Sequence, residues 1–557
     1  MPMRPLFFLF TLLLACGKKE EPVGNKPPYD AQVTAQLERV AGNTFTYRFV
    51  ASAKDTDGDP LQFSWDFGNG TTNASGQATE TAQFADGRDY TVTVRITDGK
   101  SPALVATVPV STQTGTITVD LNRTYQTIEG FGAFGGQDLW YSSGPYTTAP
   151  FVNDVVNDLG LTISREEVVG SLEPVNDNDD PNVTDLSKFN LTVRPSNKDH
   201  LPFGVRVPHL RALKEAGVRK FIASVWSPPN WMKYNNQLGN GTDNQTSAPD
   251  YTTSPTATTN QLKPEYYEEF AEFCYAYCRI FEREVGLPLY AISLQNEPRF
   301  SQFYQSCVYN GPALRETLRA VGRRFKKEGI PTRIFLPEDL QWTDRMRDML
   351  MPSLLDAETR DYVSIVATHG YGFDGVQPNS PDAATWRTIA SWGAPYGKPL
   401  WMTETSGFPN DFGGAMKLSG AIHNALRYGN AEAWVFWTVA EPNLSAYSLM
   451  DKNLNKSKRY YVSKNYYRYI RPGAVRVEAS ASTDDILPVV VTEKGKQVLV
   501  LTNMGATDRV MKLTGTGLKT AFSAYRTSET EDCKTLGAIT GPTVVLPRQS
   551  VTTLVTE

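Results

Sequence analysis

The sequence predicts a multidomain chain: a (β/α)8 TIM barrel with a fused side β-sandwich, preceded by an immunoglobulin-like β-sandwich. Three observations predict it. From about residue 128 to 440, short apolar runs alternate with amphipathic helical stretches. Residues 30–113 and 473–557 instead alternate apolar and polar at period two and lack helical periodicity. Two glutamates, Glu297 and Glu404, stand at the ends of two of the apolar runs.

At 557 residues the chain exceeds one ordinary core. Its 40% apolar and 21% charged residues are normal for a globular protein. A net charge of −5 leaves no basic surplus to neutralise phosphates, so no nucleic acid is expected as a partner. Arg4 and the apolar run from Leu6 to Ala15 fit an export signal too short to span a bilayer. The run ends Leu13-Leu14-Ala15-Cys16, which resembles the lipobox of bacterial lipoproteins and implies acylation at Cys16. Residues 1–16 are therefore expected as a signal peptide and 17–29 as a polar linker. The chain is then expected at the cell envelope, held to the membrane by a lipid anchor. Cys274, Cys278, Cys307 and Cys533 form no CxxC pair and no Cys/His cluster, so neither metal nor cofactor is expected. A disulfide between Cys307 and Cys274 or Cys278 stays open.

In residues 30–113, Phe45-Thr46-Tyr47-Arg48-Phe49-Val50, Leu61-Gln62-Phe63-Ser64-Trp65 and Tyr90-Thr91-Val92-Thr93-Val94 read as strands between Asp/Gly turns. Trp65-Asp66-Phe67-Gly68-Asn69-Gly70 and Asp55-Thr56-Asp57-Gly58-Asp59-Pro60 resemble a PKD-type module. Pro60 stands where an EF-hand loop needs glycine, so a polar turn is the better reading of the three aspartates than a calcium loop.

Barrel strands are expected at Gly130-Phe131-Gly132-Ala133-Phe134, Leu161-Thr162-Ile163-Ser164 and Phe221-Ile222-Ala223-Ser224-Val225-Trp226. They continue at Leu289-Tyr290-Ala291-Ile292-Ser293-Leu294, Arg333-Ile334-Phe335-Leu336 and Val363-Ser364-Ile365-Val366-Ala367. Pro399-Leu400-Trp401-Met402 and Ala433-Trp434-Val435-Phe436-Trp437 complete the eight. Helices are clearest over residues 264–285, stopped by Gly286, and 312–327, ended by Gly329. Eight such repeats point to a closed barrel over residues 128–472, with a doubly wound sheet as the alternative. Residues 114–127 and 473–557 flank the barrel, and together they are expected to build the side β-sandwich.

At the C-terminal ends of barrel strands, a polar residue reads as catalytic first. Glu297 ends the fourth strand and Glu404 the seventh, separated by three βα steps of about 36 residues, close to one βαβ unit each. Strands four and seven lie across the ring, so the two carboxylates can approach one glycosidic bond from two sides. One can attack the anomeric carbon while the other protonates the leaving oxygen. The nucleophile must stay ionised, and its charge helps keep a proton on its partner.

Ser224-Val225-Trp226-Ser227-Pro228-Pro229-Asn230-Trp231, Ser293-Leu294-Gln295-Asn296-Glu297-Pro298, Trp401-Met402-Thr403-Glu404 and Ile128-Glu129-Gly130-Phe131-Gly132-Ala133-Phe134 resemble glycoside hydrolase family 30. The resemblance runs from about residue 115 to the C-terminus. It implies a clan-A barrel with a side β-sandwich, a retaining mechanism, Glu297 as acid/base and Glu404 as nucleophile. By the same likeness Arg165 supports Glu404, Asn296 holds a sugar hydroxyl or the nucleophile, and His369 and Tyr371 line the pocket. Trp226 and Trp437, ending strands three and eight, offer apolar faces to a pyranose ring.

Residues 166–204 and 234–263 are long polar loops, expected to wall the substrate cleft. Trp342 fits an outer subsite or packing equally. The resemblance implies a β-linked glycan as partner: β-xylan, a β-1,6-linked glucan or galactan, or a β-glucoside. No clear basic signature marks a glucuronate branch. A monomer is expected, and a non-catalytic glycan-binding lipoprotein is the alternative function.

Overall fold

The structure is a computed structural model that describes residues 24–41, 43–85, 87–135, 144–192, 202–242, 251–340, 344–371 and 383–556. Cys16 and Trp342 lie outside the described residues, as do 193–201 and 243–250 of the two long loops. The chain divides into two compact units between Gln113 and Thr114.

The first unit has two antiparallel sheets. Tyr29–Ala41, Thr44–Lys54 and Thr79–Phe84 form one, and Thr72–Asn73, Gln62–Asp66, Asp89–Thr97 and Leu104–Ser111 the other. Their period-two alternation turns Tyr47, Phe49, Val92, Val94 and Ile96 inward. Phe49, Trp65, Phe67 and Phe84 meet there at ring separations of 5.6–6.3 Å. Gly68 follows Phe67 with φ +70°, and a Cβ there would stand 2.6 Å from the Thr91 carbonyl oxygen. Only glycine fits both constraints. Asp55 Oδ1 accepts the backbone N–H groups of Asp57 and Asp59 at 2.9 and 3.1 Å, so the acidic segment closes on itself as a turn.

In the second unit, the eight strands are β1 (Gly130–Phe134), β2 (Ile163–Val168), β3 (Lys220–Val225), β4 (Ala291–Ser293), β5 (Arg333–Asp339), β6 (Val363–His369), β7 (Leu400–Glu404) and β8 (Ala431–Phe436). They pair in parallel in chain order and β8 closes on β1, so the sheet is a barrel rather than the open alternative. At Gly132 a Cβ would lie 2.2 Å from the Ile163 carbonyl oxygen, which explains the glycine-rich wording of β1. Ile163, Ile222, Phe335, Ile365, Trp401 and Val435 fill the interior, with Trp401 stacked on Tyr290 at 6.0 Å. Below this layer, at the N-terminal ends of the strands, Lys220 pairs with Glu129, and Tyr290 Oη donates to Glu129 at 2.8 Å.

The helix Tyr267–Val285 presents Phe270, Phe273, Cys274, Tyr277 and Phe281 to the outer core. It ends at Gly286 in the left-handed region, and Gly311–Glu328 ends the same way at Gly329. All four cysteines seen in the structure are buried, free thiols, so the disulfide left open by the sequence is not formed.

Thr114–Thr127 pairs antiparallel with Val475–Ala481 and parallel with Arg509–Thr514, in the middle part of a nine-stranded sheet. The other strands all come from residues after the barrel. Ile117, Val477, Leu499, Met511, Phe522, Val544 and Leu554 share one core, so strands from both ends of the sheet pack against each other.

Candidate active site

The barrel brings six of the eight residues singled out for the site into one hydrogen-bonded and aromatic network, and the other two border it. Glu404 is the last residue of β7, His369 the last of β6 and Arg165 the third of β2. Asn296 and Glu297 follow β4, while Trp226 and Trp437 directly follow β3 and β8. All eight therefore belong to the C-terminal mouth, where the strands aim side chains into shared space.

Glu404 is held on both oxygens. Arg165 Nη1 donates to Oε2 in a short ion pair, and Tyr371 Oη donates to Oε1 at 2.9 Å. The rest of the Arg165 guanidinium donates to Asn296 Oδ1 at 2.8 Å, and to Ser224 Oγ and Glu338 Oε1 at 3.2 Å. Glu297 is held by different groups. His369 Nδ1 lies 3.0 Å from Oε1, and Gln302 Nε2 donates to Oε2 at 3.1 Å. One ligand atom each of Glu297, His369 and Glu404 lie within 4.8 Å of one another. The two carboxylates thus face a common point. Glu297 adopts φ +49° and its backbone N–H donates to the Glu338 carbonyl at 3.0 Å, a local conformation that the fold imposes on a non-glycine residue.

The two acids differ in environment. Burial pushes the Glu297 carboxyl above its ordinary value and the charge of Glu404 adds to this, while the hydrogen bond from His369 opposes it. For Tyr371, burial and then Glu404 raise the phenol well above its ordinary value, so it remains a donor. Burial disfavours the charge on His369. Glu404 and the hydrogen bonds to Glu297 and Glu338 outweigh that and push it up to about 10. Burial also disfavours ionisation of Glu338, but Arg165, with His369 and Ser224, holds it below the usual carboxylate range. Two cations, Arg165 and His369, thus stand against the carboxylates Glu338 and Glu404. A proton on Glu297 makes the buried set neutral. Removing one partner of such a buried pair costs about 3–5 kcal/mol, because the other charge is left uncompensated.

The spacing of Glu297, His369 and Glu404 would also suit metal ligands, but Arg165 and His369 already supply positive charge there. Gln302 Oε1 is buried without a hydrogen-bond partner. An amide turned end for end presents that oxygen to Glu297, which could then donate its proton to it.

Trp226 is buried, with the Arg165 guanidinium 4.9 Å from its ring centre. Trp437 is half-buried and lies 4.2 Å from Phe134 and 6.0 Å from Trp226. Of the two, Trp437 has the more accessible surface for a sugar, and Trp226 mainly backs the arginine.

Sequence reasoning passed over Glu338, Ser224, Gln302 and Ser406, whose Oγ lies 3.2 Å from Tyr371 Oη. Glu338 is the most instructive. It lies within β5, fully buried between Arg165 and His369, which lie 3.0 and 3.4 Å from Oε1. Pro337 reads as a strand breaker, yet β5 runs on to Asp339, so an acid at a strand end went unread. Asp339 beside it forms a short ion pair with Arg299.

The closed (β/α)8 barrel with its side sheet thus carries two facing carboxylates at its mouth. The PKD domain family matches residues 25–112. Glucuronoxylanase XynC of Bacillus subtilis is 30% identical over 267 residues, 46% of this chain and 54% of the relative. The chain therefore spans about half the length of that relative. The endo-1,6-β-D-glucanase neg1 of Aspergillus fumigatus is 25% identical over 422 residues, 69% of this chain and 78% of the relative. The solved family 30 subfamily 8 xylanase Xyn30A of Clostridium acetobutylicum superposes with a TM-score of 0.61 at 24% identity, covering 79% of this chain and 99% of that one. Residues 25–112 thus match the PKD domain family, and the barrel with its side sheet shares the fold of the family 30 xylanase.

Proposed function

We propose that this protein is a retaining β-glycosidase that cleaves a β-linked polysaccharide by double displacement. The observation that carries the reading is the approach of a Glu297 and a Glu404 oxygen within 4.8 Å at the barrel mouth. Retaining enzymes hold the two carboxyl groups about 5–5.5 Å apart, whereas inverting ones need roughly 6.5–9.5 Å to admit water. Glu404, oriented by Arg165 and Tyr371, attacks the anomeric carbon. Glu297 gives its proton to the leaving oxygen as that bond breaks. The resulting Glu297 carboxylate then takes a proton from water, which attacks the anomeric carbon, breaks the ester to Glu404 and restores both acids.

The relatives named above make β-xylan and β-1,6-glucan the first substrates to test. Among the described residues, the basic side chain nearest Glu297 in sequence, Arg299, is engaged by Asp339. Lys233 is buried with its Nζ donating to Ser227 Oγ and the Ser306 carbonyl. Incubation with each glycan, with product anomers followed by NMR, tests the proposal. The first-formed sugar is expected to keep the β configuration, and an α product would overturn double displacement. The proposal includes a monomer with lipid attachment at Cys16, supported by Leu13-Leu14-Ala15-Cys16. Cys16→Ser is expected to release the protein from membrane fractions.

A further inference from the structure

Glu338 takes no bond-making step in the double displacement, yet it touches the supports of both facing acids. It stands last but one in β5 and is fully buried. Its Oε1 accepts from Ser224 Oγ at 2.9 Å and lies 3.0 Å from Arg165 Nη2 and 3.4 Å from His369 Nε2. Each of those two side chains turns its other end to a facing acid. Arg165 Nη1 donates to Glu404 Oε2, and His369 Nδ1 lies 3.0 Å from Glu297 Oε1. The main chain joins the two sides as well. The Glu338 carbonyl accepts the Glu297 N–H at 3.0 Å, and Glu338 and Glu297 both stand in the left-handed region, at φ +56° and +49°.

Arg165 Nη2 and His369 Nε2 are 3.5 Å apart. Two buried cations this close repel unless an anion faces both, and Glu338 Oε1 faces both. The other titratable groups around them are Glu297 after β4, Tyr371 after β6 and Glu404 at the end of β7, while Asp339 and Arg299 pair with each other alongside. The charges then count simply. Two cations stand against Glu338 and Glu404, so Glu297 keeps its proton. Without the Glu338 charge, the same two cations would serve the two facing acids, and Glu297 would ionise more readily. A neutral imidazole would instead accept from Arg165 at Nε2, so the proton on that nitrogen separates the two arrangements.

We propose that Glu338 is a positioning residue for the reaction: it holds Arg165 and His369 together as cations, and so keeps the proton on Glu297 and the charge on Glu404. Its carbonyl also fixes the backbone from which Glu297 reaches the mouth. The inference rests on the glycosidase reading and adds to it a buried residue, away from the sugar, that decides which facing acid is charged.

The test compares the unaltered chain with Glu338→Gln and Glu338→Asp. Each is assayed across pH on β-xylan and on β-1,6-glucan. The histidines are observed in parallel by nitrogen NMR, with His369 assigned by the signal that His369→Gln loses. Glu338→Gln is expected to move the alkaline limb of kcat/KM to lower pH by about one pH unit, with KM little changed. Glu338→Asp keeps the charge and is expected to leave the limb in place while lowering kcat. In the unaltered chain both His369 nitrogens are expected to carry protons at pH 8, and in Glu338→Gln one of them is expected to leave at lower pH. Slower turnover by Glu338→Gln with an unmoved limb would mean a purely structural ion pair and overturns the proposal. A limb that moves as far in Glu338→Asp as in Glu338→Gln overturns it too, because shape rather than charge would then matter. So does a His369 with a single proton at pH 8 in the unaltered chain, a reading that needs no variant to fold. Absence of turnover by the unaltered chain, beside a doubly protonated His369, would overturn the glycosidase reading instead.

Discussion

The barrel mouth and the wall behind the segment after β2 both bury several carboxylates, yet they treat them in opposite ways. At the mouth, Arg165 and His369 sit among Glu297, Glu338 and Glu404, and the carboxyl oxygens that face the reacting point have named donors. Around Glu173, Glu269 and Glu272, the nearby cation Arg324 is engaged by Pro181, Thr184 and Glu328 instead. The difference teaches that burial alone does not assign a role to an acid. Built-in cations hold a carboxylate charged, whereas burial without them pushes Glu173 and Glu272 towards the protonated form.

The sharpest way to break the comparison is to remove one acid from the mouth. Glu404→Gln is expected to lower kcat by about 10⁴-fold or more, since no other group can form the covalent intermediate. Glu297→Gln is expected to cost about 10²–10⁴-fold on natural glycans, and much less on aryl glycosides whose leaving group needs no proton. Equal losses on both substrate types would remove Glu297 from the acid role.

A smaller effect separates the regions by pH. His369 has a folded value of about 10 against an ordinary 6.5, raised chiefly by Glu404 and the hydrogen bonds to Glu297 and Glu338 despite burial. A raised value means the folded state holds the proton more tightly. Its contribution to stability is complete below about pH 6.5 and is lost as pH rises through 10. Tm measured across that window should fall, and His369→Gln should flatten the slope. An unchanged slope in the variant would show that the imidazole carries no such proton.

Much of this arrangement was legible in the chain because its signals are local. Apolar runs at βα spacing marked all eight strands, and Glu297 and Glu404 announced themselves by following two of them. Gly286 and Gly329 marked helix ends through a backbone preference that belongs to one residue. Glu338 was hidden by Pro337, a residue that usually ends a strand but here stays within one. Trp226 looked like a sugar platform until its neighbour across β2 and β3, Arg165, was placed 4.9 Å from its ring centre. The wall acids gave no signal at all. Glu173 and Glu272 are 99 residues apart, and on a helix of mixed charge a glutamate reads as solvated until packing covers it.

The strand Thr114–Thr127 leaves the ribosome before any part of the barrel, yet both of its partners, Val475–Ala481 and Arg509–Thr514, are translated after the barrel is complete. A nascent chain must therefore carry this strand unpaired through the synthesis of more than three hundred residues. Stop codons placed before residue 509 would leave the edge Thr114–Thr118 without its partner Arg509–Thr514. Shortened products should accordingly be handled by chaperones and proteases as unfinished, even where every barrel residue is present.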